Sequence, residues 1–204
     1  MANEARPAVR KLLSLAIGAI AAAGLLTSVP ADESGRKVEI AVQPDGEAVV
    51  RHVRGPEFLT AYRDIVGVWT ICDGITAGVR SGTRETREGC LRRLEDELVQ
   101  VAEHMLECVP TLREPGRDYQ RWAIVSLAYN AGWPSICRST AARRFNARDW
   151  RGGCDAFLMW NKAGRPLREV RGLTLRRQRE REICMTGAPG FPASTLEARL
   201  EKFR

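Results

Sequence analysis

Histidine is scarce in this 204-residue chain, occurring only as His52 and His104. No Cys-x-x-Cys pair accompanies them, so the ligand spacing of a structural zinc site is absent. A Gly-rich phosphate loop, zinc-finger spacing and an RNA-binding aromatic motif are missing too. The net charge of +7 therefore comes without a nucleic-acid signature, and no nucleic-acid partner is expected. A membrane surface or an acidic cell-wall polymer remains as a counterpart for that charge, beside the plainer reading of a soluble cation. Beyond Val29 there is no long apolar run, and no internal repeat is visible. With 44% hydrophobic and 28% charged residues, the composition is that of a globular domain with appendages.

What is present begins with the N-terminus. Arg6, Arg10 and Lys11 precede an uncharged stretch from Leu12 to Val29, which Pro30 follows. A basic start before an apolar run is the layout of an export signal. The run is at the lower length limit for a spanning helix, and Ala and Gly dominate it, so it gains little from lipid per residue. Residues 1–31 thus read as an export signal or signal-anchor helix, with three fates open: cleavage after Ala31, permanent anchoring, or weak anchoring with later escape. The protein is expected outside the cytoplasm, periplasmic or tethered to the inner membrane and facing the periplasm.

The six cysteines, Cys72, Cys90, Cys108, Cys137, Cys154 and Cys184, agree with export, since an even count in an exported chain points to disulfides. Connectivity does not follow from sequence. Pairing of neighbours (Cys72–Cys90, Cys108–Cys137, Cys154–Cys184) is the working expectation.

Residues 32–54 read as a linker in which two short β-like runs flank Pro44-Asp45-Gly46, giving either a hairpin or a flexible tether. The main domain begins near residue 55 with short strands broken by glycines. From about Arg84, Leu91, Leu94, Leu98, Val101 and Met105 mark one face of a helix about six turns long. Further helices are expected from Asp118 to Asn130, from Ser139 or Thr140, over Trp150–Trp160, and after Thr174 as far as Gly187. Residues 188–204 form a Pro/Gly-rich tail. A small β-rich lobe before a larger helical lobe is an α+β arrangement.

Four segments, "YRDIVGVWTICDGIT", "AYNAGWPSICRST", "GGCDAFLMWNKAG" and "RGLTLRRQREREIC", occur in that order. Together they resemble the phage-type lysozymes, in particular the exported endolysins of lambdoid-like phages, from about Gly55 to Gly187. The resemblance implies a lysozyme-like α+β fold with a cleft between two lobes. It also implies hydrolysis of the β-1,4 bond between N-acetylmuramic acid and N-acetylglucosamine in peptidoglycan, by a monomer. For Leu12–Val29 it implies a signal-anchor-release segment that contacts the inner membrane. The chemistry needs no metal or organic cofactor.

The family's catalytic set is a Glu, an Asp nine positions later and a Thr six positions after that. Asp64 and Thr70 match the second and third members. The first position is Gly55, and the nearest carboxylate, Glu57, arrives two residues late. Glycosidic hydrolysis needs one protonated carboxyl and one ionised carboxylate. Phe58 and Leu59 would raise the pKa of Glu57, whereas a helix starting at Pro56 would lower it. Glu57 is the expected acid, with Asp73 as a distant second. The alternative is a degenerate lysozyme fold that binds peptidoglycan without cutting it. Trp69 reads as cleft-lining or as core. Asn130, Gly132, Ser139 and Thr140 read as substrate contacts or as caps and turns. The arginines between Arg171 and Arg181 read as a wall-binding or a solvated face, and Cys72 as a structural or a regulatory bridge.

Overall fold

The computed structural model describes residues 12–64, 67–188 and 195–203. The basic flank Arg6, Arg10 and Lys11, and the Pro/Gly stretch at 189–194, lie outside the described residues.

The apolar N-terminal stretch forms two helices, α1 (Leu13–Ile17) and α2 (Ala19–Glu33), which break at Gly18 with φ +90°. No helix among the described residues is long and apolar enough to cross a membrane. These helices lie inside the protein instead. Leu13, Ala21, Leu25 and Val29 are all fully buried, in one apolar cluster with side chains as distant as Ile183 and Met185. Helices α1 and α2 thus share one core with residues of the main domain. Polar contacts also hold the helices: the Leu13 N–H donates to Glu95 Oε1 at 3.2 Å, and Trp122 Nε1 donates to Ser28 Oγ at 3.1 Å.

Residues 32–54 contain the hairpin rather than a tether. Strand β1 (Lys37–Val42) pairs antiparallel with β2 (Ala48–Arg54) around a turn at 43–47. The Gly46 φ of +90° is one that a side chain rarely adopts. A second, short hairpin joins β3 (Tyr62–Arg63) to β4 (Trp69–Thr70).

The helical lobe follows. Helix α3 (Arg87–Cys108) begins at Thr86, whose Oγ1 accepts the Gly89 N–H, and buries Leu94, Leu98 and Met105 as its apolar stripe requires. Helix α4 (Asp118–Ala131) ends at Gly132, and short α5 (Trp133–Cys137) follows at once. Helices α6 (Thr140–Asn146), capped by Ser139, and α7 (Trp150–Asp155), capped by Asp149, lead into a 3-10 turn over Ala156–Met159. A hairpin of β5 (Lys162–Ala163) and β6 (Arg168–Glu169) precedes α8 (Arg171–Met185), and α9 (Leu196–Leu200) lies in the tail. Helix α8 starts at Arg171 rather than after Thr174, whose Oγ1 is 3.3 Å from the Val170 carbonyl.

The three disulfides join neighbours: Cys72–Cys90, Cys108–Cys137 and Cys154–Cys184. Each closes a loop of 18 to 30 residues, a length at which loop-closure entropy is worth about 3–4 kcal/mol.

The arginines of α8 are not one solvated face. Arg176 and Arg177 are 5% and 0% exposed and share the fully buried carboxylate of Glu180. Arg176 also reaches Glu33 and Asp32 on α2. Burial works against the charge on Arg176, but the surrounding carboxylates outweigh it and raise its pKa. Burial raises the pKa of Glu180.

Candidate active site

A groove of about 470 Å³ runs between the β-rich and helical lobes. Its walls carry Glu33 from the end of α2, Gly74 from the loop after β4, Glu97 and His104 from α3, and Asn130 and Trp133 from either side of Gly132.

Glu33 is the last residue of α2, and its Oε1 accepts from Arg176 Nη1 at 2.6 Å. A Cβ on Gly74 would lie 3.6 Å from the Glu33 Cβ and 3.8 Å from its Oε2, so the loop after β4 and the Glu33 side chain are neighbours. Glu97 accepts the Tyr129 hydroxyl at 3.0 Å. Desolvation raises the Glu97 pKa, and desolvation with the charges of Glu97, Glu33 and Asp73 raises the phenol of Tyr129. His104 and Trp133 stack with ring centres 3.8 Å apart.

Asp64 and Thr70 share the β3–β4 hairpin. Asp64 Oδ1 accepts the Val68 N–H at 2.8 Å, and the Asp64 N–H donates to the Val68 carbonyl at 2.9 Å, which closes the turn. Thr70 is 4% exposed and pairs across the hairpin with Tyr62. Burial, then the charges of Asp64 and Asp73, raises the Tyr62 phenol. Asp73 is thus felt by Tyr62 on the Asp64 side and by Tyr129 on the Glu33 side. Trp69 is half-buried under the Arg63 guanidinium, 4.8 Å from the ring centre.

Glu57 occupies a different pocket, with Arg36, His52, Arg87 and Leu91. Arg87 grips both its oxygens, Nε at 2.8 and 3.1 Å and Nη2 at 2.6 Å, and His52 Nδ1 lies 3.7 Å away. The hydrogen bonds from Arg87 lower its pKa. Asp73 is engaged as well: Ser34 Oγ and Arg36 Nε lie 2.8 and 2.9 Å from its Oδ1, and Arg36 Nη2 meets Oδ2.

Glu33, a candidate that reasoning from sequence did not name, sits 31 residues before Asp64. The signal was available in the hairpin that separates them. Without residues 34–55, Glu33 stands nine positions before Asp64, which is the family's spacing.

A profile of the phage lysozyme family matches residues 57–180. The chain belongs to the phage lysozyme family. The SAR-endolysin of Enterobacteria phage P21 is 33% identical over 184 residues, covering 89% of this chain and 98% of the relative. Among solved structures, the endolysin of Escherichia coli O157:H7 phage FAHEc1 covers 79% of this chain and 90% of its own, with TM-score 0.62. At 23% identity it shows a shared fold. The muramidase domain of SpmX from Asticaccaulis excentricus matches with TM-score 0.56 and 25% identity over 64% of this chain and 88% of its own. The chain thus has the lysozyme-like α+β fold of these neighbours.

Proposed function

We propose that this chain is an exported endolysin that hydrolyses the β-1,4 bond between N-acetylmuramic acid and N-acetylglucosamine, with Glu33 rather than Glu57 as the general acid. The observation that carries the reading is Glu33 at the end of α2, in the groove beside Gly74, a residue four positions along the chain from Thr70. Glu33 hands its proton to the departing sugar oxygen. Asp64 stays ionised to direct water or to stabilise positive charge on the ring, and the Thr70 hydroxyl helps to hold that water. Arg176 orients Glu33, and its charge is divided among Asp32, Glu33 and Glu180.

Clearing of a cell-wall suspension tests the assignment. Glu33→Gln should lower the rate about 10²–10⁴-fold, the usual contribution of a general acid. Glu57→Gln and Glu97→Gln should each keep most of it. Loss with Glu57→Gln and survival with Glu33→Gln would reverse the assignment.

The similarity to the SAR-endolysin of phage P21, matched over 89% of this chain, supports a second part of the reading. The stretch Leu12–Val29 first tethers the exported protein to the inner membrane, then leaves the lipid and folds as α1 and α2. Depolarisation should move the protein from the membrane to the soluble fraction with its N-terminus intact. A mature form beginning near Asp32 would eliminate this route.

A further inference from the structure

We infer that Asp73 is a positioning residue that fixes Glu33 against the loop after Thr70, across the hairpin interposed between them. The inference rests on the reading of Glu33 as the acid. The β1–β2 hairpin lengthens the covalent path from Glu33 to Asp64, and a path of that length does not by itself hold two groups in register. Misplacement by about an ångström can cost about 10²-fold in rate.

Asp73 supplies the missing tie. It lies three residues beyond Thr70 and is 1% exposed. Its neighbour Cys72 is bonded to Cys90 on α3, so the loop that carries it is anchored. Its carboxylate meets the residues just after the acid. Ser34, which follows Glu33 directly, has its Oγ 2.8 Å from Oδ1, and the Arg36 guanidinium engages both oxygens in the two-pronged way that gives such pairs their directional hold. On the other side of Asp73, Gly74 lies beside the Glu33 side chain. Asp73 therefore grips the chain on the exit side of Glu33, next to the point where the loop at Gly74 borders its side chain.

The test uses the full-length chain and reads kcat and KM on wall fragments, with a urea midpoint for each variant. Asp73→Ala should lower kcat about 10–100-fold with KM changed less than about two-fold. Asp73→Asn should recover only part of the loss, because its single amide oxygen can still accept from Ser34 Oγ and Arg36 Nε while its NH2 faces Arg36 Nη2 without a bond. Arg36→Ala should lower kcat as well, and combining it with Asp73→Ala should cost no more than the worse single change, as expected for residues acting as one unit. Additive losses, or a kcat per folded molecule equal to wild type, would overturn the inference. Should Asp73→Ala fail to fold, Asp73→Asn with and without Ser34→Ala carries the same comparison: support is a fall in kcat when Ser34 is removed, and no change overturns it. Activity abolished by Glu33→Gln but untouched at Asp73 rejects the positioning role alone. Activity surviving Glu33→Gln rejects the functional reading, and this inference with it.

Discussion

The Cβ that Gly55 lacks would fall 2.6 Å from the carbonyl oxygen of Gly35 and 3.0 Å from the Arg36 Cα. The chain thus leaves at Gly35 and returns at Gly55 to nearly the same point, and the β1–β2 hairpin projects from that root. Gly55 has φ +99°, so Gly55→Ala meets both a disfavoured backbone region and a backbone collision. A loss of about 2 kcal/mol or more is expected, measured as a fall in the urea midpoint. An unchanged midpoint would mean that the two glycines are not in contact.

Trp133 stands at the groove wall, 36% exposed and stacked on His104. A flat apolar ring beside polar groups suits the C–H face of a sugar. Trp133→Ala should raise KM about five-fold, near 1 kcal/mol, while kcat changes little. Steady-state kinetics on soluble wall fragments would read this. A fall in kcat at constant KM would move Trp133 out of the binding role.

Much of the architecture was legible before the fold was in view. The α3 stripe ran at three- and four-residue steps, and Pro44-Asp45-Gly46 marked the turn between two strands. The N-terminus was legible as apolar, but the same Ala/Gly-rich composition suits lipid and protein interior alike, so pattern could not reveal that Gly24 faces Trp122. Glu33, the proposed acid, escaped for a related reason. Catalytic groups meet in space, and a hairpin whose ends touch changes sequence distance without changing spatial distance. The interior position of Arg176 and Arg177 was signalled only by Glu180, three and four residues on, and such spacing is equally common on exposed helix faces.

Glu97 gives a pH-dependent stability of predictable sign. Desolvation holds its folded pKa above the unfolded value, so the folded state binds more protons between the two. Stability attributable to Glu97 therefore falls as pH rises through that window. Glu97→Gln removes the dependence while keeping an acceptor for Tyr129. The variant should be more stable than wild type at pH about 7, and the gap should close below the unfolded carboxylate pKa of about 4.3. Urea midpoints at both pH values measure it. A gap that widens toward acid contradicts the assignment.

Glu180 has the opposite weight. It accepts from Ser126 Oγ at 2.7 Å and from Arg177 Nη2 at 3.0 Å, with Arg176 Nε at 3.2 Å, and all these side chains are buried. Glu180→Gln leaves a buried arginine without its counter-charge, for which about 3–5 kcal/mol is expected. Because Arg176 also carries Glu33, the loss in urea midpoint should be accompanied by a lower kcat. A stable variant with normal kcat would show that Asp32 and Glu33 alone satisfy both arginines.

Gly24 separates the two environments proposed for the N-terminal stretch. In the folded protein a Cβ there would come within 2.3–2.5 Å of the Trp122 ring, so even Ala overpacks the contact between α2 and α4. In a bilayer the same change only adds apolar surface and strengthens insertion. Gly24→Leu should therefore act twice, retaining the protein in the membrane and blocking the packing of α2 that carries Glu33 into the groove. The expected result is a membrane-bound protein with little wall-clearing activity, even after depolarisation. Ile20, 52% exposed on the same helix, provides the control: Ile20→Leu leaves the Trp122 contact untouched and should stay active once released. Fractionation followed by an activity assay on each fraction reads both variants. Active, released Gly24→Leu protein would mean that α2 does not need to seat against Trp122 for catalysis.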